Sequence, residues 1–439
     1  MGHWPRPANL LLVRIMHFTD TYLPRRDGVI TSLRTLREPL AEAGHPSVTV
    51  VPAHPAQGAE PGLIRLPALA CGIADLRLAR WPLRPVRSSM IATLAEHTPD
   101  LIHVHSPGPV GLLGVIAARE LGVPLVQTYH TDLHAYADAY RVPDFALRAL
   151  ARLYSRRLES PSLCTHRRNL TMKLRLWVQS EGAAQAHPSP LDLGNQLLLG
   201  PADAVIVPTP AVLERVTLPV DPQRIYLVPT GVAKPGPAAD ISHWGIEPGD
   251  KVVLFVGRVN REKGIDLLLP AFDRVLQAQP RARLVLVGAV YEPRWLRRMI
   301  RNDRVIVTGQ QPPEAVAAAY QRADVFAFPS GTDTQALVLQ EAALAGVPSV
   351  LVDPVLHRRG ALAGAAVLAD KDTFADAIIE LLADPAAATA LGELARANAA
   401  RHTPQAFAAA MLDIYGKFVA CGRTRSATPA RADAAHSAA

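Results

Sequence analysis

Val252-Val253-Leu254-Phe255-Val256-Gly257-Arg258-Val259-Asn260-Arg261-Glu262-Lys263-Gly264-Ile265 decides how the rest of the chain reads. Its first five residues are apolar without interruption, as in a strand buried on both faces, and a helical pattern over 267–278 follows one loop later. The same alternation extends outward in both directions. Strand-like runs lie at 13–18, 47–52, 101–105, 125–129 and 204–207 before it, and at 284–287, 305–308, 325–328 and 349–352 after it. Helical patterns fall between them at 29–43, with Val29, Leu33, Leu36 and Leu40 on one face, and at 111–121 and 313–323. Pro39 is expected to interrupt the first of these. Strands alternating with helices predict an α/β protein built on parallel sheets.

With 439 residues, 49% of them hydrophobic, the chain is too long for one ordinary core and long enough for two. A stretch dense in Pro and Gly over 229–249 reads as the linker. It divides the chain into 1–232 and 233–405, followed by a helix over 406–420 that crosses back to the first domain. The tail 421–439 is rich in Ala, Ser, Thr, Arg and Pro without periodicity, and is expected to be disordered. Residues 155–199 break the rhythm with Pro161, Pro188, Pro190 and a basic stretch from Thr165 to Asn169. They read as an insertion that serves as a lid, contacts an acceptor, or merely covers the surface.

Cys71, Cys164 and Cys421 form no CxxC pair, which argues against a disulfide framework or a zinc site and suits a reducing cytoplasm. The apolar run from Leu10 is stopped by Arg14, too short for a secretory core, and no stretch of about 18 apolar residues is present to span a bilayer. A cytoplasmic protein, free or peripheral to the inner face of an anionic membrane, is expected. The formal net charge of +7 suits a phosphorylated partner, but the arginines are scattered and form no basic and aromatic stripe, so nucleic acid is not expected.

Four clusters carry chemistry. At the first strand-to-helix turn stands Tyr22-Leu23-Pro24-Arg25-Arg26-Asp27-Gly28, where the helix start beside Gly28 would point N–H groups and a partial positive charge at an anionic ligand. In the opening stretch, Arg258 and Lys263 supply a fork and a point charge that can neutralise a departing diphosphate without metal. In Pro329-Ser330-Gly331-Thr332-Asp333-Thr334-Gln335, Asp333 precedes a helix pattern that carries Glu341, so the two acids can hold different parts of one extended ligand while the amides from Thr334 onward meet phosphate. Gln127-Thr128-Tyr129-His130-Thr131-Asp132 follows an apolar strand at the end where α/β proteins bind ligands. Each has an ordinary alternative: a turn glycine, solvated loop charges, a helix cap, a histidine closing a local network. His103 and His105 share a strand face with no third metal ligand evident, and Asp370-Lys371-Asp372 reads as a cap.

The ordered set YLPRRDGVITSL, DLIHVHSPGPVGLL, PLVQTYHTDL, ADAVIVPT, IYLVPTGV, VVLFVGRVNREKGIDLLL, VIVTGQ and TDTQALVLQEAALAGVPSV resembles the family 4 retaining glycosyltransferases of GT-B fold, from Arg14 to about Ala420. The resemblance implies two Rossmann-like domains facing across a cleft, the first on the acceptor side and the second binding a nucleotide-diphosphate sugar. It further implies that Arg258 and Lys263 bind the diphosphate, that Gly28 closes over it, and that Asp333 contacts the donor sugar. Glu341 would hold the ribose, backbone near Val307 and Gly309 the base, Thr334 and Gln335 the donor, and His130 the transferred sugar. Asp27 and Asp132 would face the acceptor. Asp333 stands where the family more often has Glu, and Thr334-Gln335-Ala336 replaces an aromatic-Gly pattern. Asp27 replaces the first of two glycines, and Ala233 stands where Asp commonly follows.

The reaction so implied moves a hexosyl group from a UDP- or GDP-linked sugar to the hydroxyl of a lipid, polyol or secondary metabolite, with retention and with no metal or other cofactor. The rivals are a nucleotide-sugar epimerase or a phosphorylase on the same fold, and an inactive sugar-nucleotide binding protein.

Overall fold

The computed structural model describes residues 12–70, 77–81, 88–130, 144–159 and 190–426. A first sheet of seven parallel strands runs in the spatial order Leu63–Leu66, Ser47–Pro52, Ile15–Phe18, Leu101–Val104, Leu125–Thr128, Ala204–Val207, Ile225–Leu227. A second of six parallel strands runs Val305–Gly309, Ala282–Val287, Lys251–Val256, Val325–Phe328, Ser349–Leu351, Val367–Leu368. Strand order reverses beside Ile15–Phe18 in one sheet and beside Lys251–Val256 in the other. Ligands of open α/β sheets bind at the carboxyl ends of strands at such points.

Helix Gly28–Glu42 begins where the Asp27 side chain accepts from Ile30 N, and it buries Ile30, Leu33, Leu36 and Leu40. It runs through Pro39 rather than stopping there. An interior proline costs about 3 kcal/mol, and the full burial of Leu33, Leu36 and Leu40 offsets it. The strands Leu63–Leu66, Ile225–Leu227 and Val367–Leu368 have no counterpart among the expected runs. They are short and half-exposed, so an unbroken apolar run was never needed there.

Helix Asp144–Glu159 runs into the start of the insertion expected at 155–199, and helix Pro190–Leu199 forms its end. Tyr154, Leu158, Leu197, Leu198 and Leu199 enter the first core beside Val104 and Leu113. The stretch 160–189 lies outside the described residues, as do Asp132 and the tail from 427. The terminal helix is Pro404–Ser426, so 421–426, expected to be disordered, are helical. Phe407, Met411, Ile414, Tyr415 and Val419 pack on Val13, Ile15, Leu36, Leu40, Leu101, Val126 and Ile206, covering one face of the first sheet from the far end of the chain. Its entry crosses the linker, where Val232 N donates to His402 O at 3.0 Å. Gly231 permits that crossing, because a Cβ there would stand 2.2 Å from Thr403 O. Among the described residues no helix is long and apolar enough to cross a membrane.

Candidate active site

In the second sheet, two loops leave the carboxyl ends of the adjacent strands Lys251–Val256 and Val325–Phe328. The first closes a short 3-10 turn, Arg261–Lys263, whose Lys263 N–H is capped by the Asn260 side chain. It then passes Gly264 at φ 73°, where a Cβ would lie 2.4 Å from Pro329 O. Glycine therefore lets one loop lie directly against the other. Contact brings Lys263 Nζ to 2.7 Å from Asp333 Oδ1. Ser330 Oγ donates to Asp333 Oδ2 at 2.5 Å, and Glu262 holds Arg258 at 2.7 Å and Lys263 at 3.2 Å. Burial alone would push the Asp333 carboxyl up, but the Lys263 charge, its hydrogen bond and that from Ser330 hold it below its ordinary value.

Beyond Asp333 the chain enters helix Leu337–Ala345 at Ala336, a left-handed residue with φ 57° that offers no side-chain cap. Glycine adopts this conformation without steric cost, so Ala336 holds a strained backbone position. The first-turn amides are left without a side-chain acceptor in the cleft, the arrangement that attracts an anion. Glu341 lies farther along this helix. Tyr320 donates to it at 2.8 Å, and burial pushes its carboxyl up.

The Asp333 loop is fastened to the first domain. Arg215 donates to Asp333 O at 2.8 Å and also pairs with Asp353. Thr209 Oγ1 donates to Thr334 O at 2.7 Å, and Thr334 Oγ1 donates to His130 O at 3.0 Å. The Gln335 amide takes both backbone groups of Thr230, accepting from its N–H at 3.0 Å and donating to its carbonyl at 2.9 Å. Gln335 thus bridges the domains, which the sequence pattern alone does not announce.

Of the other expected residues, Asp132 lies outside the described residues. Gly28 faces open space, and the end of its helix is already occupied by Asp27, which also accepts from Thr21 Oγ1 at 2.6 Å and Arg25 Nε at 3.0 Å. Asp27 therefore acts as cap and ion-pair partner. Val307 lies in the middle of the edge strand Val305–Gly309 and Gly309 ends it, where Gly309 O accepts from Gly288 N at 2.9 Å.

His103 and His105 do acquire a third companion. Parallel register sets His17 opposite His103, and nitrogens of His17, His103 and His105 lie within 4.8 Å of one another. They are already hydrogen-bonded: His103 to the Tyr415 and Thr128 hydroxyls at 2.7 Å each, His17 to His105 at 3.0 Å. Burial, first of all, keeps all three well below the ordinary histidine value and hence neutral. Their unfolded-state value is about 6.5, so the stability they contribute is present above that pH and lost as acid forces them to charge. Melting temperature should fall as pH is lowered from about 7 to about 5, by about 1 kcal/mol of stability per pH unit for each histidine that must protonate. A transition flat or rising over that window would contradict the neutral cluster.

Residues 250–384 match the family described as glycosyl transferases group 1, and residues 26–168 match glycosyltransferase family 4. The D-inositol 3-phosphate glycosyltransferase of Kineococcus radiotolerans is 32% identical over 360 residues, spanning 74% of this chain and 73% of that protein. This chain belongs to glycosyltransferase family 4. The alpha-monoglucosyldiacylglycerol synthase of Streptococcus pneumoniae is 27% identical to this family 4 enzyme over 77% of its length and 70% of the relative's. Sucrose-phosphate synthase from Thermosynechococcus elongatus superposes with a TM-score of 0.65 at 22% identity, over 93% of this chain and all of that one. The two-sheet architecture of the glycosyltransferase is the GT-B fold.

Proposed function

We propose that this glycosyltransferase is a metal-independent, retaining hexosyltransferase that uses a UDP- or GDP-linked sugar and an acceptor hydroxyl on a lipid or polyol. The observation that carries the reading is the placement of Lys263 2.7 Å from Asp333, with Arg258 alongside, at the mouth of a helix that lacks a side-chain cap. Lys263 has three N–H donors, and Asp333 and Glu262 take two, which leaves one for a phosphate oxygen. The uncapped amides supply further donors to the same diphosphate. Asp333 is held ionised for the sugar hydroxyls, and Glu341, kept above its ordinary value, stands for the ribose.

On this reading the anomeric carbon's bond to the phosphate oxygen breaks as charge builds on the leaving diphosphate, where Lys263, Arg258 and the helix end stabilise it. The acceptor oxygen forms its bond from the same face and passes its proton to a departing phosphate oxygen. No carboxylate is required as nucleophile. Glycosyltransferases named for a diacylglycerol lipid and for an inositol phosphate are both among the relatives, which supports a lipid or polyol acceptor; a peripheral, cytoplasmic setting is part of the same proposal. On this reading His130 faces the transferred sugar, Gly28 closes over the diphosphate, and Asp27 and Asp132 are assigned to the acceptor side. Val307 and Gly309 lie toward the base, and Thr334 and Gln335 toward the donor.

A panel of nucleotide sugars incubated with and without diacylglycerol vesicles or inositol phosphates should release nucleoside diphosphate only when both substrates are present. Consumption of donor without acceptor would replace the transferase with an epimerase. Binding without release, seen as a thermal shift worth about 2.7 kcal/mol at 100 times the dissociation constant, would leave a binding protein.

A further inference from the structure

The first-domain wall of the cleft rests on a chain of imidazoles. His17 Nδ1 lies 3.0 Å from His105 Nε2, and His105 Nδ1 lies 3.3 Å from His130 Nε2 with the two rings stacked. His17 and His105 are 0% and 2% exposed, while the partly exposed His130 ends the chain at the cleft. The His103 ring packs 3.9 Å from that of His105, centre to centre, and hydroxyls of Thr128 and Tyr415 hold it at both nitrogens. His105 therefore has little freedom to turn.

A neutral imidazole has one donor and one acceptor nitrogen, so such a chain can be protonated in only two directions. Its inner end decides between them. Among the described residues His17 Nε2 is buried with no hydrogen-bond partner. If the protons point inward, that nitrogen carries a buried N–H with nothing to receive it. If they point outward, it is a bare lone pair. An orphaned buried N–H is the rarer of the two, because an acceptor loses less when left unpaired. The outward direction follows: His17 Nδ1–H donates to His105 Nε2, and His105 Nδ1–H donates to His130 Nε2.

That leaves His130 with its proton on Nδ1, the ring nitrogen not spent inside the chain. We propose that His17 and His105 are positioning residues that set the His130 tautomer, so that its Nδ1–H is offered as a donor to a hydroxyl oxygen of the transferred sugar. The proposal rests on the assignment of His130 to the sugar. Burial also holds His130 down to about 4, so it is neutral at physiological pH. A ring with one nitrogen spent inward and the other protonated has no free lone pair for general base work. This agrees with the leaving phosphate taking the acceptor's proton.

Two-bond proton–nitrogen correlation spectra of protein labelled with 15N-histidine show which ring nitrogen is protonated. The His130 signals are those lost in His130→Asn. The expected result is an Nδ1–H His130 in the wild type and a mixture of tautomers in His105→Leu. The Leu variant should lose about tenfold in kcat, by analogy with removing the partner that orients a metal-ligating histidine, with nucleoside diphosphate affinity unchanged. His105→Asn, whose amide nitrogen stands near Nδ1 and can donate to His130, should recover most of that loss. An Nε2–H His130 in the wild type overturns the proposal, and that measurement needs no variant to fold. So does a His105→Leu protein with wild-type kcat and an unchanged tautomer. Full turnover by His130→Asn removes instead the sugar-facing reading on which the proposal rests, while the wild-type spectrum still decides the relay.

Discussion

Lys263→Ala is expected to lower turnover about a hundredfold or more, equivalent to about 2.7 kcal/mol of lost transition-state stabilisation. The loss has two sources on the proposed reading. The third N–H of Lys263 no longer meets the charge that grows on the leaving phosphate oxygen. The carboxylate 2.7 Å away also loses its main counter-charge, so Asp333 moves up and accepts more weakly from sugar hydroxyls. Arg258 is a poor substitute because Glu262 already holds its guanidinium. The measurement is nucleoside diphosphate release at saturating donor and acceptor, with circular dichroism to show that the fold survives. A folded variant with near-normal turnover would end the assignment of this loop.

A chain that stops at Thr403 is expected not to fold. Helix Pro404–Ser426 buries Phe407, Met411, Ile414, Tyr415 and Val419 almost fully against the first sheet. At about 1.5–3 kcal/mol for each such side chain, their removal costs roughly 10 kcal/mol, comparable with the whole stability of a domain. It also uncovers Ile15 and Val126 on the sheet and Leu36 and Leu40 on the helix Gly28–Glu42. Expression of the shortened chain should give insoluble protein with no cooperative thermal transition. A soluble product melting at the full-length temperature would show that the first domain does not depend on this helix.

Much of the fold was legible because its cause is local. Unbroken apolar runs such as Val252 to Val256 mark strands covered on both faces, and the leucines of helix Gly28–Glu42 recur at helical spacing. Edge strands such as Ile225–Leu227 escaped for the converse reason: one side meets solvent, and the apolar signal fades. Pro39 misled because a local penalty was outweighed by burial that no local rule contains. Asp27 was placed by its position at the turn, yet its carboxylate is consumed by Ile30 N, Thr21 and Arg25.

The order of chemical groups along the chain, Arg258 and Lys263 in one loop, the acid before a helix and the acid within it, belongs to the sequence alone, and so does the alternation that makes two parallel sheets. What touches what does not. Gly264 against Pro329 sets the reach of Lys263 to Asp333, and Gln335 finds Thr230 across the domains. His17 joins His105 across 88 positions, and Tyr415 reaches His103 across 312. Such contacts follow from the spatial order and register of the strands, where a neighbour in the sheet need not be a neighbour in the chain. Periodicity reports only which face of a segment is buried, and the folded sheet decides what that face meets.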